Sequence, residues 1–182
     1  QYDPTAVTTG KMGGQNGARL VEYNKKGDTL LGDYLSAVIA AAVQVAESNA
    51  CMKRIVAAPT AGSCGVIPAV LITYQKQQGL PRRELLRALL VSAGIGSVIA
   101  ENASISGAQG GCQAEIGSAA AMAAGGLVYL AGGDNDAIAQ GAAMALKNML
   151  GLVCDPVAGL VETPCIKRNA AGAANAVVAA QM

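Results

Sequence analysis

Five cysteines and no histidine bound the chemistry open to this sequence. The cysteines stand at positions 51, 64, 112, 154 and 165 of 182 residues. Without histidine the chain itself can supply no histidine-based triad, no histidine metal ligand and no histidine general base. The thiol count is odd, and Gln1-Tyr2-Asp3-Pro4 is not a basic stretch leading into an apolar core. Neither a disulfide framework nor a secretory signal is therefore expected, and a reducing cytoplasm is the natural setting. Thiols there serve as buried structural groups, nucleophiles or metal ligands.

The three later cysteines share a local grammar. Cys112 follows Gly110-Gly111, Cys154 follows Gly151-Leu152-Val153 and precedes Asp155-Pro156, and Cys165 follows Thr163-Pro164. Each is expected in a loop near the start of a helix, where unpaired N–H groups favour thiolate. No Cys-x-x-Cys occurs, so common zinc patterns are missing. Three thiolates without a fourth soft ligand suit a [4Fe–4S] cluster with one open iron, a Lewis acid for a substrate hydroxyl. Three free thiols buried in an Ala-rich core fit the same spacing. Cys51, near the end of an amphipathic helix, reads as a core residue. Cys64 stands in a Gly/Ser loop that can face a site.

Two loops resemble cradles for a carboxylate. Pro59-Thr60-Ala61-Gly62-Ser63 and Asn102-Ala103-Ser104-Ile105-Ser106-Gly107 offer hydroxyls and glycine-flanked backbone N–H groups at helix junctions. Each can equally be an ordinary capped loop.

The elements that must position these groups are helical. Apolar residues make up 52% of the chain and charged residues 14%, with 23 Gly, no Trp and no Phe. Such small side chains predict an all-α fold, a compact bundle of Ala/Gly-rich helices with the cysteine-bearing loops at helix N-termini. Helices are expected over 16–26 (capped by Asn16), 30–50, 68–78, 82–100, 112–131, 134–150 (capped by Asp134) and 166–182. The helix over 82–100 is expected to drive its apolar later half, Leu89 to Ile99, into the core. The first fifteen residues read as flexible. A net charge of +1 gives no field for nucleic acid. The uncharged stretch 55–75 is broken by Pro59, Gly62, Gly65 and Pro68, so no membrane span is expected.

Ala58-Pro59-Thr60-Ala61-Gly62-Ser63, Asn102-Ala103-Ser104-Ile105-Ser106-Gly107-Ala108, Gly110-Gly111-Cys112-Gln113-Ala114-Glu115 and the stretch KNMLGLVCDPVAGLVETPCIKRN over 147–169 carry a resemblance. The chain resembles the α chain of iron–sulfur-dependent L-serine dehydratases from about Thr9 to its end. The resemblance implies a cluster-binding catalytic domain over 1–182, truncated at both ends. It implies that Cys112, Cys154 and Cys165 hold a [4Fe–4S] cluster. It also implies dehydration and deamination of L-serine to pyruvate and ammonia without pyridoxal phosphate.

Expected partners are L-serine, a β chain or β domain and further subunits, with neither nucleic acid nor membrane. Lys11, Thr60, Ser63, Asn102, Ser104 and Ser106 are the substrate-binding candidates. The general base is left open among a serine alkoxide, a desolvated lysine such as Lys167 and groups on segments outside this chain. Lys167-Arg168 reads either as balance for cluster charge or as a solvated first turn, and Asp155 and Glu115 as supporting or capping groups. A cysteine desulfidase with a similar cluster, or a non-catalytic metal-binding helical module, are the competing readings.

Overall fold

A computed structural model describes residues 2–182. Among these are seven helices and no strand: α1 (Asn16–Asn24), α2 (Gly32–Ala50), α3 (Val66–Gln77), α4 (Arg82–Asn102), α5 (Gly107–Leu130), α6 (Asn135–Lys147) and α7 (Thr163–Gln181). The all-α expectation holds. No described helix is long and apolar enough to cross a membrane.

The bundle is built around α5. Residues Ile116 to Val128 are buried on every side of this helix, as expected of a helix that is apolar all round. Helices α3, α4, α6 and α7 pack on it, α2 packs on α3 and α7, and α1 lies on α2. Small residues set the spacing. A Cβ at Gly126 would fall 2.6 Å from Ser92 Oγ and 3.2 Å from the Ala88 carbonyl. One at Gly172 would fall 2.6 Å from Ile116 Cγ2. The ridges of neighbouring helices therefore meet where only glycine fits.

Three expectations change. The apolar half of α4 enters the core only in part: Ile95 packs against it, but Leu89, Leu90 and Val98 are exposed, and only Ala88, Ser92 and Gly96 of this helix are fully buried. A helix packed along one side buries one narrow stripe, whatever its total apolar content. The N-terminal residues are not loose either. Val7 and Gly14 pair in an isolated bridge, Thr8 N donates to the Gly13 carbonyl at 3.1 Å, and Thr8 is buried. Finally, Asn16 does not cap α1. The cap position is Gln15, in the left-handed region at φ 63° and without a side-chain bond.

Glu47 of α2 does the capping instead. Its Oε1 accepts from Asn16 N at 2.8 Å and Asn16 Nδ2 at 2.9 Å. Its Oε2 accepts from Gly17 N at 2.9 Å and the Tyr2 hydroxyl at 2.7 Å. The side chain is only 1% exposed. A carboxylate so deep needs such partners, and the helix end supplies them together with the favourable end of its dipole. Glu47→Ala should strand buried donors and lower stability by about 3 kcal/mol. Thermal unfolding should register this as a loss of roughly 6–12 °C in Tm. A change within a degree or two would show that the α1–α2 contact does not depend on this carboxylate.

Candidate active site

The three later cysteines meet. Cys112, Cys154 and Cys165 line one cavity of about 730 Å³, together with Thr60, Gly62, Ser106, Glu115, Glu162 and Asn169. Each thiol arrives from a different element. Cys112 follows Gly111, whose φ of 71° and ψ of −169° break α5 into two helical pieces. Cys154 lies exposed in the long connection between α6 and α7. Cys165 sits inside the first turn of α7, just after Pro164.

Gly111 is where the first two come together. A Cβ there would lie 3.2 Å from Cys154 N and 3.3 Å from the Leu152 carbonyl. Gln113 fixes the contact from both sides. Its N–H donates to the Leu152 carbonyl at 2.7 Å, and its Oε1 accepts from Gly151 N at 2.8 Å. Arg168 ties in the third element. Its Nη1 donates to Cys112 Sγ at 3.1 Å and to the Val153 carbonyl at 3.0 Å, and pairs with Asp155 Oδ1 at 2.5 Å. Asp155 is thus a partner of Arg168, and Arg168 is the cation beside a thiol.

Cys154 does not stand at a helix start as expected, and Cys112 and Cys165 do not show the thiolate preference expected there. Burial pushes Cys165 up to about 11, with Cys112, Glu115 and Cys154 adding to the rise. Burial also raises Cys112, and Arg168 opposes it. Lost hydration of a charged sulfur outweighs the helix-end field here. Cys64, buried beneath the Val45 carbonyl, is pushed up to about 11 by burial and does not line the cavity. Cys51 is raised by burial and also lies outside it.

The loop carrying Thr60 forms the opposite wall. The Thr60 hydroxyl donates to Glu115 Oε1 and lies 2.9 Å from Ser63 Oγ. Ser63 is itself fully buried behind Thr60. Gly62 makes room for Glu115, since a Cβ there would lie 2.6 Å from Oε1. Asn169, 0% exposed, locks the loop to α7. Its Nδ2 donates to the Gly62 carbonyl at 2.7 Å and the Cys165 carbonyl at 2.8 Å, and its Oδ1 accepts from Gly65 N at 2.8 Å.

The remaining predicted residues separate. Ser106 lines the cavity as the residue before α5. Ser104 accepts from Ser106 N at 3.1 Å and donates to Gln109 Oε1 at 2.8 Å, supporting that turn from outside the cavity. Asn102 is the last residue of α4 and bonds back to the Val98 carbonyl at 2.8 Å, exposed. Lys11 is exposed, at φ 59°, on the hairpin formed by residues 7–14. Lys167 is exposed and lines a separate groove with Arg19, Leu20, Val43 and Ile166, so it is not a desolvated lysine at the cavity.

Glu162, at the cap position of α7, joins the hairpin to the cavity. It accepts from Thr8 Oγ1 at 2.5 Å and Gly10 N at 2.6 Å, which hold its carboxyl below the usual range. Asn169, Glu162 and Gln113 were not among the residues expected from sequence. Asn169 stands four residues after Cys165 and so on the same helix face; that spacing is the signal that points to it.

Asn169→Leu, a change of similar volume, should leave the Gly62 carbonyl and the Gly65 N–H without their side-chain partner. The expected cost is about 3 kcal/mol, read by thermal unfolding, with faster alkylation of Cys165 as the loop comes away. Glu162 predicts a pH response. Its depressed carboxyl contributes hairpin docking that is present above the ordinary glutamate value of about 4.3 and is lost as pH falls through its own lower value. The Gly10 amide resonance should titrate with a midpoint below that ordinary value and should not titrate in Glu162→Gln. A midpoint at or above it would contradict the hydrogen-bonded geometry.

The family model for the serine dehydratase alpha chain matches residues 3–182. The chain is 50% identical over 174 residues to a protein of Bacillus subtilis (strain 168), the probable L-serine dehydratase, alpha chain. That alignment covers 96% of this chain and 58% of the relative. It is 46% identical over 176 residues to the L-serine dehydratase, alpha chain, of Peptoniphilus asaccharolyticus, covering 97% of this chain and 60% of the relative. It is 50% identical over 142 residues to L-serine dehydratase TdcG of Escherichia coli (strain K12), covering 78% of this chain and 31% of that protein. The chain thus spans less than two thirds of each of these relatives. With the match running along almost every described residue, and through all three cavity cysteines, the chain belongs to the serine dehydratase alpha chain family.

Proposed function

We propose that this chain is the cluster-holding part of an enzyme that dehydrates and deaminates L-serine to pyruvate and ammonia. The observation that carries the reading is the convergence of Cys112, Cys154 and Cys165 on a cavity that also presents Thr60, Ser106 and Glu115. The names of the relatives supply the substrate.

The donor set fits an iron–sulfur cluster. Cysteine thiolates are the usual holders of such a cluster, and the cavity presents three of them with no nitrogen ligand. Among the described residues no group of three or more His, Cys, Asp or Glu is placed to hold a single ion. A cluster would take each thiolate on a separate iron and would not need three ligands gathered on one ion. Cys112, Cys154 and Cys165 would hold it, losing their protons as they do so. When bound, a [4Fe–4S] cluster supplies an open iron that polarises the substrate hydroxyl and makes it a better leaving group.

The chain's own residues do the rest. Arg168, beside Cys112 Sγ, offsets the negative charge of a ligated thiolate. The start of α5, with Ser106, Gly107 and Ala108 on the cavity wall, offers the substrate carboxylate a hydroxyl and helix-end N–H groups. Two carboxylates line the cavity, Glu115 and Glu162. Glu162 is engaged by Thr8 and Gly10. Glu115, held through Oε1 by the Thr60 hydroxyl and with Oε2 accepting from none of the described residues, is therefore the carboxylate assigned to take the substrate α-proton. Ser63 steadies Thr60 from behind. Loss of the α-proton and the hydroxyl leaves aminoacrylate, which tautomerises and hydrolyses. No pyridoxal phosphate enters this scheme. The setting is the cytoplasm, with a β chain or β domain as the partner.

The test uses the full-length enzyme, reconstituted anaerobically. About four irons and four sulfides per α chain are expected, lost in Cys112→Ala, Cys154→Ala and Cys165→Ala and kept in Cys51→Ala. Glu115→Gln should keep its iron and lose roughly 10²–10⁴ in kcat. Pyruvate should form from L-serine in preference to L-cysteine. Iron retained in all three cysteine variants, or turnover unchanged in Glu115→Gln, would refute the corresponding assignment.

A further inference from the structure

The outer face of α4 has no partner among the described residues. Leu86, Leu90 and Val98 are 50%, 72% and 62% exposed. Between them stands Gly94, where a Cβ would meet nothing within 4 Å. The glycines inside α5 and α7 that face a neighbouring helix are explained by contacts a Cβ would crowd, as at Gly125, Gly126 and Gly172. Gly94 weakens the interior of a helix with no such reason inside the chain. It opens a notch on the surface of an apolar stripe.

The stripe is symmetric about that notch. With 3.6 residues per turn, Arg87, Leu90, Gly94, Val98 and Glu101 share one face, and all five are exposed. Leu90 and Val98 lie four residues to either side of Gly94, and Arg87 and Glu101 seven. The N-terminal half is basic, with Arg82, Arg83 and Arg87 against Glu84. Glu84 alone serves both Arg83, at 3.3 Å, and Arg87, at 3.1 Å. Glu101 at the other end forms no ion pair among the described residues.

We propose that α4 pairs antiparallel with α4 of a second copy of this chain, about a two-fold axis passing by Gly94. That operation sets Leu90 of each copy against Val98 of the other, and Arg87 of each against Glu101 of the other. A face that is self-complementary in both apolar and charged positions under one rotation is what an isologous interface requires. Glycine at the axis lets the two backbones approach. One helix pair makes a small interface, so the dimer forms in a concentration-dependent way.

The test is made on the full-length protein. Gly94→Cys brings two thiols together at the axis. Mild oxidation should give an intermolecular disulfide on a non-reducing gel, absent from the unsubstituted protein and from Lys76→Cys, an exposed position on α3. Arg87→Glu and Glu101→Arg should each weaken self-association about tenfold by sedimentation, because like charges then face each other. The two variants mixed, under different tags, should form the heterodimer, and the double variant should associate as the original does. No crosslink through position 94, or a protein monomeric at all concentrations, overturns the interface. A crosslink without the charge-swap rescue overturns its antiparallel register.

Discussion

The side-chain amide of Asn169 holds the cavity in shape. Fully buried, it bonds the Gly62 carbonyl, the Cys165 carbonyl and the Gly65 N–H at once. Its first bond fixes the loop that carries Thr60 and Ser63, and its second fixes the turn of α7 that carries Cys165. The third satisfies the N–H of Gly65 just ahead of α3. A charged residue here would demand further partners, and an apolar one would leave the Gly62 carbonyl and the Gly65 N–H without their side-chain partner. One neutral amide with donors and acceptor in the right places joins the two walls of the cavity.

Around that link, the site is a problem in bringing distant chain segments together without spending stability on strain. Small residues solve it. Gly111 turns α5 and lets the Cys154 segment approach the backbone. Gly62 leaves room for the Glu115 carboxylate. Gln113 and Arg168 then cross-tie the segments through side chains. The electrostatics follow from the same arrangement. Burial raises Cys112 and Cys165, and a guanidinium stands beside Cys112, the deeper of the two. The Arg168 guanidinium is therefore placed to balance negative charge at Cys112.

The N-terminal hairpin shows how an apparently spare segment is recruited. It has too few apolar side chains to build a core, yet Glu162 holds it through the Thr8 hydroxyl and the Gly10 amide. Glu47 does the same for the start of α1. In both places a buried or half-buried carboxylate replaces the hydrophobic contact that the local sequence cannot provide. The cost of burying the carboxylate is met by backbone N–H groups that would otherwise go unpaired.

Much of this was legible in the sequence. Ala-rich composition, proline and glycine punctuation and the Asp134 cap gave the number and order of the helices, because these are local effects. The type and spacing of Cys112, Cys154 and Cys165 raised them as candidates beside a core reading, the resemblance implied them as ligands, and the structure puts all three on one cavity. Position was not legible to the same degree. That Ser106 and Thr60 face the cavity while Asn102 and Lys11 lie outside it depends on where helices end and how they pack. The exposed apolar face of α4 was misread for the same reason: periodicity shows that a face is apolar but not whether the chain itself covers it. Asn169 and Glu47 act across gaps of 104 and 31 residues. Partners that far apart are chosen by the packing of whole helices, which no local pattern encodes. The sequence by itself determined which chemistry was available and which segments would be helical. Only the tertiary structure decided which of those groups share a cavity, because hydrogen bonds and burial depend on distances that sequence separation does not set.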